Sequence, residues 1–229
     1  MIRPSRPHFL PLTPLVFFFL FVLLGFLLLM MALDVLRFTY EKLGLAPHTA
    51  LLLLLGSLVG SYINIPLATL PGERTASGQR IMVFGVPYII PVVHDWPRTI
   101  LAVNVGGAVI PTVLSVYLLL RYGLYGPGLL GTAFVTLVVY WMARPVQGVG
   151  IVVPIFLPPL IAAGVGLLLA PQTAPALAYI AGSLGTLLGA DLFNLRTVRG
   201  LGAPIASIGG SGTFDGIFLT GVLAVLLAS

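Results

Sequence analysis

The sequence predicts an all-α fold, a polytopic membrane helix bundle of about seven transmembrane helices. Three observations predict it. Of 229 residues, 59% are hydrophobic and only 7% charged, where soluble domains carry roughly 25% charged residues. Mean hydropathy is +1.12. Apolar runs long enough to cross a bilayer recur from end to end, with Arg and Lys confined to the short segments between them. These point to one compact membrane domain over residues 1–229, with lipid and helix–helix contact in place of an aqueous-style core.

Residues 1–9 are polar, and Leu10 to Leu33 forms an uncharged apolar run. No small-residue cleavage site closes it, so it reads as a retained first span. Asp34 to His48 carries mixed charge and reads as an interfacial helix. The second span is expected at about Thr49 to Leu70. Ile81 to Val93 is too short to cross and holds two prolines, which predicts a re-entrant or surface segment. The third span is expected at Thr99 to Leu120 and the fourth at Leu129 to Ala143. Pro145, Pro154, Pro158 and Pro159 then forbid a regular helix until Leu160, so the fifth span is a broken one ending near Ala170. The sixth covers Ala176 to Leu195 and the seventh Ala203 to Ala228.

Charge sets the orientation. With the N-terminus cytoplasmic, the inner segments hold Arg3, Arg6, Arg74, Arg80, Arg98, Arg144, Arg196 and Arg199, and the outer loops only Arg37, Lys42 and Arg121. Positive residues collect inside, so the N-terminus is expected in the cytoplasm and the C-terminus outside. The scattered Arg residues give no nucleic-acid surface. Zero cysteine excludes disulfides and thiol chemistry. His94 and Asp95 have no further His or Cys nearby to complete a metal set. No P-loop, dinucleotide fingerprint or haem motif is present, so no cofactor is expected. The scarcity of Asn and Gln, three of each, suits a thermophile.

An internal repeat stands out. Gly56-Ser-Leu-Val-Gly60-Ser-Tyr62-Ile aligns without gaps on Gly185-Thr-Leu-Leu-Gly189-Ala-Asp191-Leu192, and Asn104-Val-Gly106-Gly107-Ala on Ser207-Ile-Gly209-Gly210-Ser. The copies, about 49–120 and 176–228, are expected to cross the membrane in the same sense as parallel repeats. Tyr62 then stands opposite Asp191, and Thr112 opposite Asp215.

The chemistry concentrates in the second copy. Of six acidic residues only Asp191 and Asp215 fall inside expected spans, one on either side of a short basic link. Ionisable groups in hydrocarbon are costly and mark function by default. On an ideal helix Asp191 lies about 200° from Gly189, away from the small-residue seam Gly185/Gly189 that lets helices approach. Asn64, Asn104 and Asn194 all lie in the repeat hairpins, either as interhelical glue or lining a polar site. Gly209, Gly210, Ser211, Gly212 and Thr213 form a loosened backbone that leads into Asp215.

Gly-x-Ser-Gly at Gly209–Gly212 resembles the rhomboid serine protease motif, but no histidine follows Ser211 to act as base. Gly-Ser-Gly-Thr-Phe-Asp215-Gly resembles the Gly-x-Gly-Asp neighbourhood of presenilin, signal peptide peptidase and prepilin peptidase. It departs from that pattern by Thr213 and Phe214 between glycine and acid. Gly189-Ala-Asp191 would stand for the partner aspartate, without the tyrosine that precedes it in those families. Pro175-Ala-Leu177 spells the presenilin third motif but precedes the sixth span. The chain as a whole, through Asn-Val-Gly-Gly and Gly-Thr-Phe-Asp-Gly, resembles an uncharacterised prokaryotic membrane family catalogued as a domain of unknown function.

Two functions use these residues directly, and a non-catalytic assembly or lipid-binding factor is the third reading the sequence leaves open. In an intramembrane aspartyl protease, Asp191 and Asp215 would share a proton and clamp a water against a transmembrane peptide substrate. In a small ion- or proton-coupled transporter or channel, the same acids would bind the ion and the asparagines would line its path. A carrier this small is expected to form a homo-oligomer. The lipid bilayer is the partner common to both.

Overall fold

The computed structural model describes residues 13–71, 80–83, 86–89, 98–146, 150–195, 205–210 and 214–229. The chain is mostly helical. Among the described residues, four helical stretches are long and apolar enough to cross a bilayer: Phe17–Lys42, Val105–Tyr122, Tyr125–Met142 and Pro171–Leu192. Three shorter apolar helices, Pro47–Gly60, Leu157–Leu169 and Gly216–Leu227, accompany them. The expectation of a membrane helix bundle stands.

The all-α expectation does not, because strands replace helix at three of the expected spans. Helix α2 (Pro47–Gly60) stops at Gly60, and the rest of the expected second span is strand β1 (Asn64–Pro71). Pro66 supplies no N–H and pushes Ile65 out of the helical region. The expected third span opens as strand β4 (Arg98–Asn104), passes through a π turn at Val105–Val109, and becomes helix α3 (Ile110–Tyr122). The seventh opens as strand β7 (Ile205–Ile208) before helix α7 (Phe214–Leu227). Strands β1, β4 and β7 form one sheet in that order. β1 runs antiparallel to β4, Asn64 opposite Asn104, and β4 runs parallel to β7, Ala102 opposite Ser207.

Smaller departures have local causes. No separate interfacial helix succeeds the first span, since helix α1 runs unbroken from Thr13 to Lys42. An Arg37 Nε–Glu41 Oε1 pair at 2.8 Å on successive turns supports its last stretch. Part of the expected re-entrant segment is a hairpin of β2 (Arg80–Val83) and β3 (Val86–Ile89); residues 90–97, with His94 and Asp95, lie outside the described residues. Helix α4 (Tyr125–Met142) leads into a hairpin of β5 (Arg144–Val146) and β6 (Gly150–Val152). Helix α5 (Leu157–Leu169) starts earlier than expected because Pro158 and Pro159 occupy its first turn, where a missing N–H costs nothing.

The bundle is built around helix α6 (Ala174–Thr186) and the π turn that continues it, Leu187–Leu192. Helices α3, α4, α5 and α7 all pack on α6, and its alanines, Leu177 and Ile180 are buried. Gly185 and Gly189 face α4: a Cβ at Gly189 would lie 2.5 Å from the Thr136 carbonyl oxygen. At one end of the bundle the Tyr122 hydroxyl donates to the Leu43 carbonyl at 3.0 Å, joining the α3 terminus to the turn after α1. The three-stranded sheet and both π turns lie where the other ends of the helices meet it.

Candidate functional site

Asp191 sits in the π turn that ends the central helix. Small residues let that turn form against α4, and the wider coil leaves carbonyls for the residues just beyond it to satisfy. Phe193 N–H reaches the Leu188 carbonyl at 3.0 Å, and the Asn194 side chain donates to the Gly189 carbonyl at 2.9 Å. Asp191 is 5% exposed. Its Oδ2 accepts the Gly209 N–H at 2.6 Å, a short charge-assisted bond of the kind that offsets part of the cost of burying a carboxylate.

Gly209 is held in place from the other side. Its φ of +69° is in the left-handed region, and an added Cβ would lie 2.6 Å from the Gly107 carbonyl carbon and 2.8 Å from the Ala108 nitrogen. Only glycine meets both conditions without strain. It therefore stands between the Asp191 carboxylate and the π turn of the other hairpin. The Gly210 N–H closes the turn onto the Ser207 carbonyl at 3.0 Å.

Asn104 organises the matching point in the first hairpin. Its Oδ1 accepts the Gly107 N–H at 2.8 Å and so caps the π turn. Its Nδ2 donates to the Ser61 carbonyl at 2.7 Å and to Asn64 Oδ1 at 3.0 Å. Ser207 Oγ, on β7, donates to the same Asn64 oxygen at 2.5 Å. A further backbone bond, Val105 N–H to the Ile63 carbonyl at 2.9 Å, ties the break after α2 to the break before α3. Gly60 and Gly106 touch there, a Cβ on Gly60 falling 3.0 Å from the Gly106 nitrogen.

The structure thus joins Asp191, Gly209, Asn104 and Asn64 through one continuous set of contacts across three strands and two π turns. Asn194 completes the π turn that carries Asp191. Gly209 and Gly210 form the turn that follows β7. Ser211, Gly212 and Thr213 lie outside the described residues. Asp215 falls in the first turn of α7, and its side chain lies outside what the structure describes. Ser207 was missed by sequence reasoning, although the repeat alignment sets it opposite Asn104, the residue it helps through Asn64. Among the described residues no three His, Cys, Asp or Glu side chains gather into a metal set.

No curated protein and no solved structure matches this chain. One family model does, over residues 58–227, which takes in both π turns, the whole three-stranded sheet and Asp191. With most of its length matched, the chain belongs to the family described as protein of unknown function (DUF1614).

Proposed function

We propose that the chain is a small proton- or cation-coupled membrane transporter or channel, with Asp191 as its ion-binding residue. The observation that carries this reading is the Asp191 carboxylate, buried on the π turn of the central helix and bonded to Gly209 N–H at 2.6 Å where two broken hairpins meet. Discontinuous helices with irregular backbone at depth are how carriers build ion sites, because such backbone is tolerated only inside protein or along a wet cavity. A buried carboxylate can exist charged or protonated, and the Gly209 amide is a good donor to it in either form.

The four long and three short apolar helices all cross in this reading, giving seven spans. The sheet, both π turns and Asp191 then lie toward the cytoplasmic end, where Arg80, Arg98 and Arg144 collect. The two hairpins are parallel copies of an ancestral one: each has a helix ending in a break, a returning strand and a new helix, and β4 and β7 run parallel. Two copies of the chain are expected to assemble in the membrane.

A second reading is favoured by the same bond. Gly209 N–H brings the start of the stretch leading to Asp215 against Asp191; a water-clamping aspartyl pair would need Asp215 itself to come within reach of that carboxylate. In that reading the substrate is a transmembrane peptide. Purified full-length chain in liposomes decides between them: transport predicts flux of protons or cations lost in Asp191→Asn, and hydrolysis predicts cleavage of a membrane-spanning peptide lost in the same variant. A protein that does neither while fully folded sinks both.

A further inference from the structure

Helices α2 and α3 are antiparallel neighbours that meet closely at the sheet end. A Cβ on Gly60 would lie 3.0 Å from the Gly106 nitrogen, and one on Gly56 would lie 3.6 Å from Ile110 Cδ1. Further along the same seam the small residues give out. Thr49 and Leu53 on α2 and Val113, Leu114 and Tyr117 on α3 enclose an open groove of about 560 Å³, with Arg121 at its outer end. Ligand clefts run from about 300 to 1,000 Å³, so the space is large enough to hold a molecule. Leu114 is buried while Val113 is 63% exposed, which gives the groove an apolar floor and an open flank.

The outer end is cationic. Arg121 Nη1 donates to the Tyr117 hydroxyl at 2.7 Å. Its guanidinium carbon lies 5.7 Å from the Tyr117 ring centre and 5.6 Å from that of Tyr122. Tyr122 is itself tied to the Leu43 carbonyl at 3.0 Å. The planar head is therefore held in one place with donors left over. Among the described residues no carboxylate pairs with Arg121, and Glu41 is taken by Arg37. Lys42, two residues before Gly44 at the groove mouth, rests over the Phe38 ring at 4.9 Å without an acid partner among those residues. Asp34, the other acid of α1, is about 12 Å down the helix from Lys42. Helix α2 also begins here, and its N-cap Ala46 offers no side chain, so the positive end of its dipole adds to the field.

Arg, Lys and Tyr at the ends of membrane helices mark the headgroup level. Tyr117 and Arg121 lie on the last two turns of α3, so the groove begins at that level and runs inward along apolar side chains. We propose that it binds an anionic phospholipid, with the phosphate on Arg121 and one acyl chain between α2 and α3. A soluble anion would leave the apolar slot empty. A zwitterionic lipid would bring its own cation to a mouth that already holds two. The inference is independent of the transport reading, since the groove opens at the end of the bundle opposite Asp191.

The test is native mass spectrometry of the full chain in detergent, titrated with phosphatidylglycerol or with phosphatidylcholine of the same acyl chains. Phosphatidylglycerol should bind about tenfold tighter, and Arg121→Gln should remove that preference, the effect of one lost charge-assisted contact. Arg121→Lys should keep part of it, because a point charge replaces the planar fork. Val113→Trp should weaken binding of both lipids by filling the slot. Arg144→Gln, at the other end of the bundle, should change nothing. Unfolding midpoints without lipid should match the parent, because Arg121 and Val113 are both exposed. Equal binding of the two lipids by the parent chain overturns the proposal, as does a preference that survives Arg121→Gln. Unchanged lipid binding in Val113→Trp takes the acyl chain out of the groove and overturns it as well. Displacement of phosphatidylglycerol by inorganic phosphate at equal concentration would make this a site for a free anion and not for a lipid.

Discussion

The Gly209 amide and the Asp191 carboxylate, 18 residues apart in sequence, meet at 2.6 Å. Gly209 does this in a left-handed conformation while its Cα rests on the Gly107–Ala108 backbone. One residue therefore fixes the acid, the turn before α7 and the contact between the two hairpins.

Gly209→Ala should be severe. The positive φ alone costs a non-glycine residue roughly 1–2 kcal/mol, and the new methyl meets backbone that cannot swing aside. A total loss of about 2–4 kcal/mol is expected, read as a lowered unfolding midpoint in detergent. An unchanged midpoint would show that this contact is not held as tightly as the distances require.

Asn104 and Ser207 should differ in a ranked way. Asn104→Ala leaves the Gly107 amide, the Ser61 carbonyl and Asn64 short of partners at a buried position, which should cost about 2–4 kcal/mol. Ser207→Ala removes one hydrogen bond to Asn64 and should cost about 1 kcal/mol. Asn104→Asp keeps the acceptor for Gly107 but sets a buried carboxylate oxygen against the Ser61 and Asn64 oxygens, so its midpoint should fall at or below that of Asn104→Ala. A reversed order would remove Asn104 from the centre of the network.

Most of the membrane character was legible because hydropathy integrates over long runs, and α4 and α6 fall close to where those runs predict. The strands were not legible for the same reason. Asn64–Pro71 and Arg98–Asn104 are apolar enough to read as membrane, and mean hydropathy does not distinguish an extended apolar segment from a helical one. The local signals were present: Ile65-Pro66 after a glycine, and Thr99-Ile100 with Val103 before a capping Asn104. Asp191 and the asparagines were legible as expensive polar groups in apolar surroundings. The π turns were not, because an extra residue per turn has no composition of its own.

Orientation can be checked with single cysteines, since the chain has none of its own. Ser229→Cys should react with a membrane-impermeant maleimide added to intact cells. Arg144→Cys, at the start of β5 and exposed, should react only after the membrane is opened. The opposite pattern would reverse the orientation and move the site end to the outer face.

The last prediction separates the two functions through the acids. Asn is nearly isosteric with Asp and can still accept the Gly209 N–H through its carbonyl oxygen, so Asp191→Asn should fold as well as the parent. Removing a charge from a low-dielectric site also relieves its desolvation cost. If Asp191 is the ion site of a transporter, Asp191→Asn should abolish coupled flux and Asp215→Asn should reduce it less, because one acid carries the proton. In an aspartyl pair each carboxylate is needed, one as base and one as acid, so both single variants should lose peptide cleavage and the double variant should be no worse than either. Asp191→Glu adds a further distinction. The longer side chain can still carry a proton, so a transporter should keep part of its flux, whereas a pair holding one water between fixed carboxylates should lose nearly all cleavage. The measurements are dye-reported proton flux and cleavage of a labelled transmembrane peptide on the same liposomes. Full flux in Asp191→Asn would remove Asp191 as the ion site, and full cleavage in it would remove the pair, whatever Asp215 does.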